Sequence, residues 1–289
     1  CPPGTDGMFG YIEARMPGVT VFFGLQAILD TYFSKPITVE DIEEAKKFFI
    51  AHGVPFNEVG WQRIVKEHKG IIPMRICAVS EGSVVTNGNV LVTVESTDPE
   101  LPWVGSYFET VLLRLWYTTT VATRSYQAKQ IIREALIRTS DDLSGLPFKL
   151  HDFGARGVSS GESAGFGGMS HLVNFAGSDT VEGVVAAMRY YDCDMPAFSI
   201  PAAEHSTITS WGRENEVDAY RNMLTQFAKP GALLAVVSDS YDIFNACEKL
   251  WGGELRQQVI DSGATVVIRP DSGDPASVVL RVAKILDEK

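Results

Sequence analysis

Three polar clusters, each following a short apolar run, carry the side chains best suited to chemistry. Glu204-His205-Ser206 follows AFSIPAA, and a histidine beside a carboxylate can act as a general base, a metal ligand or a nucleophile. Asp239, in Ser238-Asp239-Ser240, follows LLAVV and could orient that imidazole. Arg269-Pro270-Asp271-Ser272-Gly273-Asp274 follows TVVI and sets a cation, two carboxylates and a glycine turn at one helix start. Such a grouping could grip a phosphorylated sugar, with Asp271 holding a divalent cation, although the same residue types suit any capped turn between strand and helix.

Two further candidates lie upstream. Phe153 is an aromatic in a polar loop, placed to stack on a flat ring, with Arg156 three residues on to meet an anion. Asp179 could accept a hydrogen bond from an amide, or cap a helix beginning at Thr180. Both belong to a glycine-rich stretch, His151 to Gly183, that offers little apolar area and is costly to order. The expected use is close approach of backbone N–H groups to an anionic or planar ligand, with Asp152, Arg156, Glu162, His171 and Asp179 as the groups able to fix its orientation; a solvated surface loop is the alternative. His151 and His171 are read as structural.

These clusters need elements to position them. From Leu146 onward the chain repeats a short apolar run, a polar burst and a helix-like segment: PFKLHDFGARG, HLVNFAGSDT, AFSIPAAEHST, LLAVVSDSYD and TVVIRPDSGD. Fully buried parallel strands read as continuous apolar runs, and in an α/β barrel their C-terminal ends face one mouth, where the site is built. A barrel-like arrangement is therefore expected over 146–289, with a doubly wound open sheet as the other solution. Residues 1–145 read instead as an α+β domain. Val21 to Phe33 has helical apolar spacing; Thr38 is a candidate N-cap and Gly53 the stop of the next helix, with His52 at its C-terminal end. FNEVGWQRIVKEHKG predicts an amphipathic helix with His68 solvated among Lys66, Glu67 and Lys69. The alternating stretch MRICAVSEGSVVTNGNVLVTVES carries Asn87-Gly88, a hairpin-type turn signal. Long helices rich in aromatics follow, their rings expected in the core or at a subunit interface.

Composition narrows the function. At 289 residues, 45% hydrophobic and 21% charged, the chain is ordinary globular material, and 25 basic against 36 acidic residues disfavour a nucleic-acid surface. Any phosphate is bound locally. Four scattered cysteines form no metal-ligand spacing, and with no signal peptide a reducing cytoplasm is expected. No apolar run approaches the roughly 20 residues of a spanning helix, so no membrane role is expected. The start at Cys1 and the end on an amphipathic helix suggest a fragment.

HDFGARGVSS, LVNFAGSDTV, SIPAAEHSTITSWG, VVSDSYDIFNACEKLWG and IRPDSGDP resemble the corresponding blocks of the nicotinamide phosphoribosyltransferases, of the type II phosphoribosyltransferase family. The similarity extends through GYIEAR, VFFGLQ, FNEVGW, GNVLVTVESTDPE and LWYTTTVATRS, and so covers nearly the whole chain. It implies an incomplete α/β-barrel-like catalytic domain preceded by an α+β domain, in a homodimer whose site is shared between subunits. The implied reaction moves phosphoribosyl from phosphoribosyl pyrophosphate to nicotinamide, with Mg²⁺, stimulated by ATP through a phosphohistidine. On matching positions Phe153 would stack on the pyridine ring, Asp179 would bind the carboxamide, and Ser199 and Ile200 would line the ring tunnel. Arg269 would contact the carboxamide or sugar, Arg156 and Arg15 would meet phosphates, and Asp271 would work near ribose and metal. His205 would be the phosphorylated histidine, supported by Glu204 and Asp239. The family's Asp-x-Tyr-Lys segment before PPGT and its later barrel strands have no counterpart here. Nicotinate phosphoribosyltransferase, which a carboxylate at Asp179 argues against, and a non-catalytic binding homologue are the alternatives.

Overall fold

A computed structural model describes all residues, 1–289, which fall into two compact units, Cys1–Phe198 and Ser199–Lys289. No helix is long and apolar enough to cross a membrane.

The first unit begins with β1 (Phe9–Glu13), β2 (Val19–Val21), α1 (Leu25–Phe33), α2 (Val39–His52), α3 (Glu58–His68), β3 (Met74–Ala78), β4 (Val84–Thr86) and β5 (Val90–Ser96). Strand β5 is the centre of an antiparallel sheet, β1-β5-β3, in which Ile12 faces Val92 and Ile76 faces Val94; β2 and β4 form a separate antiparallel pair. Buried Leu91, Val92 and Val94 join Phe22, Ile28 and Leu115 in the largest core.

Capping is local and follows the sequence. Thr38 accepts from Asp41 N–H while the Asp41 carboxylate takes Thr38 N–H, and Gly53 ends α2 in the left-handed region. Three expectations require correction. The helix expected from Val21 starts only at Leu25, because Gly24 turns the chain at φ 103° in a space where a Cβ would lie 2.2 Å from Thr118 Oγ1. Asn87-Gly88 does join β4 to β5, but these strands pair with different partners and form no hairpin; Asn87 instead accepts from Thr20 (2.7 Å) and donates to Met16 O (2.6 Å). His68 is not merely solvated: its Nε2 lies 2.7 Å from Oδ2 of Asp98, a buried carboxylate that also takes Arg63 Nε at 2.7 Å. Lys66, Glu67 and Lys69 suggested solvent; the partner stands 30 residues away in sequence, out of reach of a local pattern. The Arg63 guanidinium, working against burial and helped by His68, holds the Asp98 carboxyl well below the usual carboxylate range.

Short α4 (Val104–Tyr107) and α5 (Glu109–Leu112) lead to the long α6 (Leu115–Thr139). Trp61 on α3 meets Trp103 and Tyr107 edge-on at 5.1 and 5.0 Å, a small aromatic core. Then come β6 (His151–Asp152), α7 (Gly161–His171), β7 (Gly177–Ser178) and α8 (Val181–Tyr191). The middle of the glycine-rich stretch is thus a helix, α7, capped by Ser160 and buried from Ala164 to His171. At Gly167 and Gly168 the expected use for ligand approach is corrected, because these glycines let helices touch, whereas Gly157 and Gly161 stand in open space. A Cβ on Gly168 would lie 2.6 Å from Gly183 Cα on α8, and one on Gly167 would lie 2.5 Å from the Tyr117 hydroxyl of α6.

The second unit holds α9 (His205–Thr209), α10 (Glu216–Phe227), β8 (Leu233–Val237), α11 (Ile243–Asn245), a π-helical segment (Ala246–Glu254), α12 (Arg256–Ser262), β9 (Thr265–Arg269) and α13 (Pro275–Asp287). Tyr220, Leu234, Val236 and Trp251 are buried at its centre. Asp274 caps α13 by accepting from Ser277 N–H at 2.9 Å.

Strand pairing follows chain order within each unit. In the first, β6 pairs parallel with β7, and Gly177 of β7 with Phe198; in the second, Ala202 pairs parallel with Ala235 of β8, and β8 with β9. A doubly wound sheet would reverse that order at one strand, and neither unit does. Neither unit closes a barrel. The first three strands are shorter than the apolar runs suggested: HLVNF ends α7 and turns, leaving Gly177–Ser178 as strand.

Candidate active site

His205 opens α9, immediately after the stretch that pairs with β8. Its Nε2 lies 3.1 Å from Asp239 Oδ1 and its Nδ1 3.9 Å from Asp271 Oδ2. Asp239 follows β8, and its side chain is 3% exposed. Its second oxygen, Oδ2, accepts from Asp271 N–H (2.9 Å) and the Ser272 hydroxyl (2.5 Å), both just beyond β9. The burial raises its pKa, but Ser272, the Asp271 N–H and His205 together outweigh it and leave the carboxyl below its ordinary range. Asp239 is therefore a fixed anion. It favours the His205 tautomer with the proton on Nε2, which leaves the lone pair on Nδ1.

The neighbours divide. Asp271 is 55% exposed. No three His, Cys, Asp or Glu side chains gather as a metal set, so Mg²⁺ would suit this site only in its common mode, one or two carboxylates with phosphate oxygens and water. Asp271 fits that mode. Glu204 makes no bond to His205: its carboxylate accepts the Ser206 hydroxyl and its N–H donates to Thr207 Oγ1 at 3.2 Å. Arg269 ends β9 with Nη2 3.5 Å from Ala203 O and a buried Nε that has no protein partner, a donor free for a ligand. Ser199 and Ile200 lie just before Ala202, exposed and half-buried.

A second cluster forms in the first unit at the ends of β6 and β7. Asp179 N–H donates to Asp152 O at 2.9 Å, which sets the turn after β7 beside that after β6. Asp179 Oδ2 lies 3.2 Å from His151 Nε2, off the line of a hydrogen bond, so the contact is electrostatic. The Phe153 ring sits 4.8 Å from the His151 imidazole and is 53% exposed, available to a planar ligand. Thr180 N-caps α8 without a side-chain bond, and Asp179 turns to His151 rather than the helix; the capping role is not the one seen. Arg156 is exposed and without an ion pair in the turn after Phe153, whereas Arg15, beyond β1, is 87% exposed with Glu13 at 4.0 Å. Glu162 accepts from Tyr32, and buried His171 is held between Ser125 and Leu150 O, a structural histidine as expected. His151 is the residue that sequence reasoning placed outside the site. It stands two before Phe153, so on extended chain the two share a face, and that spacing was the available signal.

The chain is similar to known proteins. Residues 148–288 match the nicotinate phosphoribosyltransferase (NAPRTase) family, and residues 1–76 match the nicotinamide phosphoribosyltransferase N-terminal domain. The chain is 61% identical over 291 residues to a curated nicotinamide phosphoribosyltransferase of Xanthomonas campestris pv. campestris, covering 99% of this chain and 62% of that protein. It is 29% identical over 275 residues to the one of Acinetobacter baylyi, covering 90% and 54%. The crystal structure of human nicotinic acid phosphoribosyltransferase superposes with a TM-score of 0.62 at 16% identity, over 98% of this chain and 60% of that one, which establishes the fold. The chain spans about three fifths of these relatives or less. The chain therefore carries, behind a nicotinamide phosphoribosyltransferase N-terminal domain at 1–76, a domain of the nicotinate phosphoribosyltransferase family at 148–288, and it is similar to a nicotinamide phosphoribosyltransferase over nearly its whole length.

Proposed function

We propose that the whole protein transfers the phosphoribosyl group of phosphoribosyl pyrophosphate to the ring nitrogen of nicotinamide, giving nicotinamide mononucleotide and pyrophosphate. The observation that carries this reading is the grouping of Asp179, His151 and Phe153 at adjacent parallel strand ends, in a chain so close to a nicotinamide phosphoribosyltransferase. Phe153 stacks on the pyridine ring, and Asp179 accepts the carboxamide N–H, which a carboxylate does readily for a neutral amide and poorly for nicotinate. In the reaction the ring nitrogen bonds to C1 of the ribose as the C1–O bond breaks, and pyrophosphate leaves with that electron pair. Charge develops on the sugar, so the protein mainly positions and stabilises. Arg156, Arg15 and Arg269 meet phosphate, sugar and amide groups, and Ser199 and Ile200 line the base tunnel. Asp271 would be the residue to hold Mg²⁺, which would supply charge neutralisation for the departing pyrophosphate.

His205 adds energy coupling. Its Nδ1 lone pair attacks the γ-phosphorus of ATP, ADP leaves, and the phosphohistidine is later hydrolysed; Asp239 steadies the ring and Glu204 the turn before it. The assembly is a cytoplasmic homodimer with sites shared between subunits.

A nicotinate reading has one observation in its favour: His151 Nε2, 3.2 Å from Asp179 Oδ2, has no hydrogen-bond partner and could donate to a carboxylate. Product formation by the full-length protein with phosphoribosyl pyrophosphate and Mg²⁺, with and without ATP, tests the proposal. ATP should stimulate the wild type, and the His205→Ala variant should turn over at a rate independent of ATP. ATP stimulation that survives in His205→Ala would end the phosphohistidine assignment, and absence of any nucleotide product would end the enzyme reading.

A further inference from the structure

We infer that Trp251 is a positioning residue for His205, acting through Ser238 and Asp239. The inference rests on the reading of His205 as the phosphorylated group. Trp251 lies in the π-helical segment Ala246–Glu254, and such segments are rare and frequent at functional sites. It is 3% exposed, and its indole N–H donates to Ser238 Oγ at 3.0 Å. Ser238 is fully buried, donates its hydroxyl to Val236 O at 2.9 Å, and gives its N–H to Arg269 O at 3.0 Å. The residue before Asp239 is thus tied on three sides, to its own strand, to β9 and to the indole.

The far side of the indole is equally fixed. Tyr220, fully buried, stacks on Trp251 at 4.8 Å with 15° between planes, and its hydroxyl donates to buried Glu216 at 2.7 Å. The chain Glu216–Tyr220–Trp251–Ser238 runs through the unit's core and ends one residue from the carboxylate that holds the imidazole. An apolar side chain could fill the same volume, and a buried indole N–H needs an acceptor. That acceptor is the hydroxyl beside Asp239. Asp239 in turn receives three donors, from His205, Asp271 and Ser272, whose strength falls steeply with misalignment. Loosening Ser238 should therefore be felt at His205.

The test compares Trp251→Phe, which keeps an aromatic against Tyr220 but removes the donor, with Ser238→Ala, which removes the acceptor at minimal change in volume, and with the double variant, all in the full-length protein. Two readouts are taken: transfer of label from γ-labelled ATP to His205, and the ¹⁵N resonances of the His205 imidazole across pH. Each single variant should slow labelling about tenfold. Both should shift the His205 resonances, and the double variant should lose no more than the larger single effect, because all three break one bond. Resonances unchanged in both singles, or labelling losses that multiply in the double, would reduce Trp251 to core packing and overturn the inference. If wild type shows no labelling at all, the phosphohistidine reading fails, and the imidazole resonances still decide whether Trp251 positions His205.

Discussion

Asp239 shows how one side chain can be made reliable. Two oxygens serve three donors on two separate strand ends, so the carboxylate cannot rotate without losing at least one bond. Hydrogen bonds to a charged group contribute about 1.5–3 kcal/mol each. Asp239→Asn keeps the size and one acceptor but adds donors that face Asp271 N–H and the Ser272 hydroxyl, and labelling of His205 by ATP should fall at least tenfold. Equal labelling of this variant would contradict the positioning role. The direction of the Asp239 shift also sets a pH limit: a depressed carboxyl contributes stability that is present above the ordinary carboxylate range and is lost as pH falls through the folded value. Glu216 has the opposite sign. Burial first, against the Tyr220 hydrogen bond, raises its carboxyl, so its protonated form suits the fold and stability is lost as pH rises through the folded value. Glu216→Gln keeps an acceptor for Tyr220, and thermal unfolding of this variant should show a smaller decline than wild type as pH rises above the ordinary carboxylate range. An unchanged decline would remove Glu216 from that limb.

The elements explain which parts of this arrangement could be read in advance. Thr38–Asp41 is a pair three residues apart, and Gly53 follows it within one helix; capping is local chemistry and was legible. Thr38→Ala should cost about 1 kcal/mol in thermal or denaturant unfolding. The fold class was legible too, because apolar runs ending in polar bursts repeat along the sequence. What failed was non-local. The partner of His68 is Asp98, the partners of β4 and β5 are strands other than each other, and the glycines of α7 are explained by α6 and α8 rather than by a ligand. Composition gives glycine the same appearance in a ligand loop and in a close helix crossing. Gly168→Ala separates the two uses: a methyl 2.6 Å from Gly183 Cα has no flexible neighbour to displace and should destabilise the protein by about 1–3 kcal/mol. A variant as stable as wild type would show that α7 and α8 do not pack this closely. In the two clusters Asp179, His205, Asp239 and Asp271 were legible as polar residues after apolar runs, and Phe153 as the aromatic among them. His151 was read as structural, and Trp251, in a helix-like segment between two polar bursts, carried no signal of its own.

At the scale of the molecule, two compact units each present one cluster: an aromatic and a carboxylate suited to a flat amide in the first, and a histidine between carboxylates suited to phosphate transfer in the second. A net charge of -11 gives no general attraction for anions, so any phosphate must be met locally, by particular cations such as the exposed Arg156, which has no ion pair. The central claim is the choice of nicotinamide. Its most direct test is the ratio of kcat/KM for nicotinamide over nicotinate, measured with phosphoribosyl pyrophosphate and Mg²⁺ in full-length wild type and Asp179→Ala. The expected result is a clear preference for nicotinamide in wild type, with a ratio that falls at least about tenfold in the variant. A wild-type preference for nicotinate, or a ratio unmoved by loss of Asp179, would contradict it.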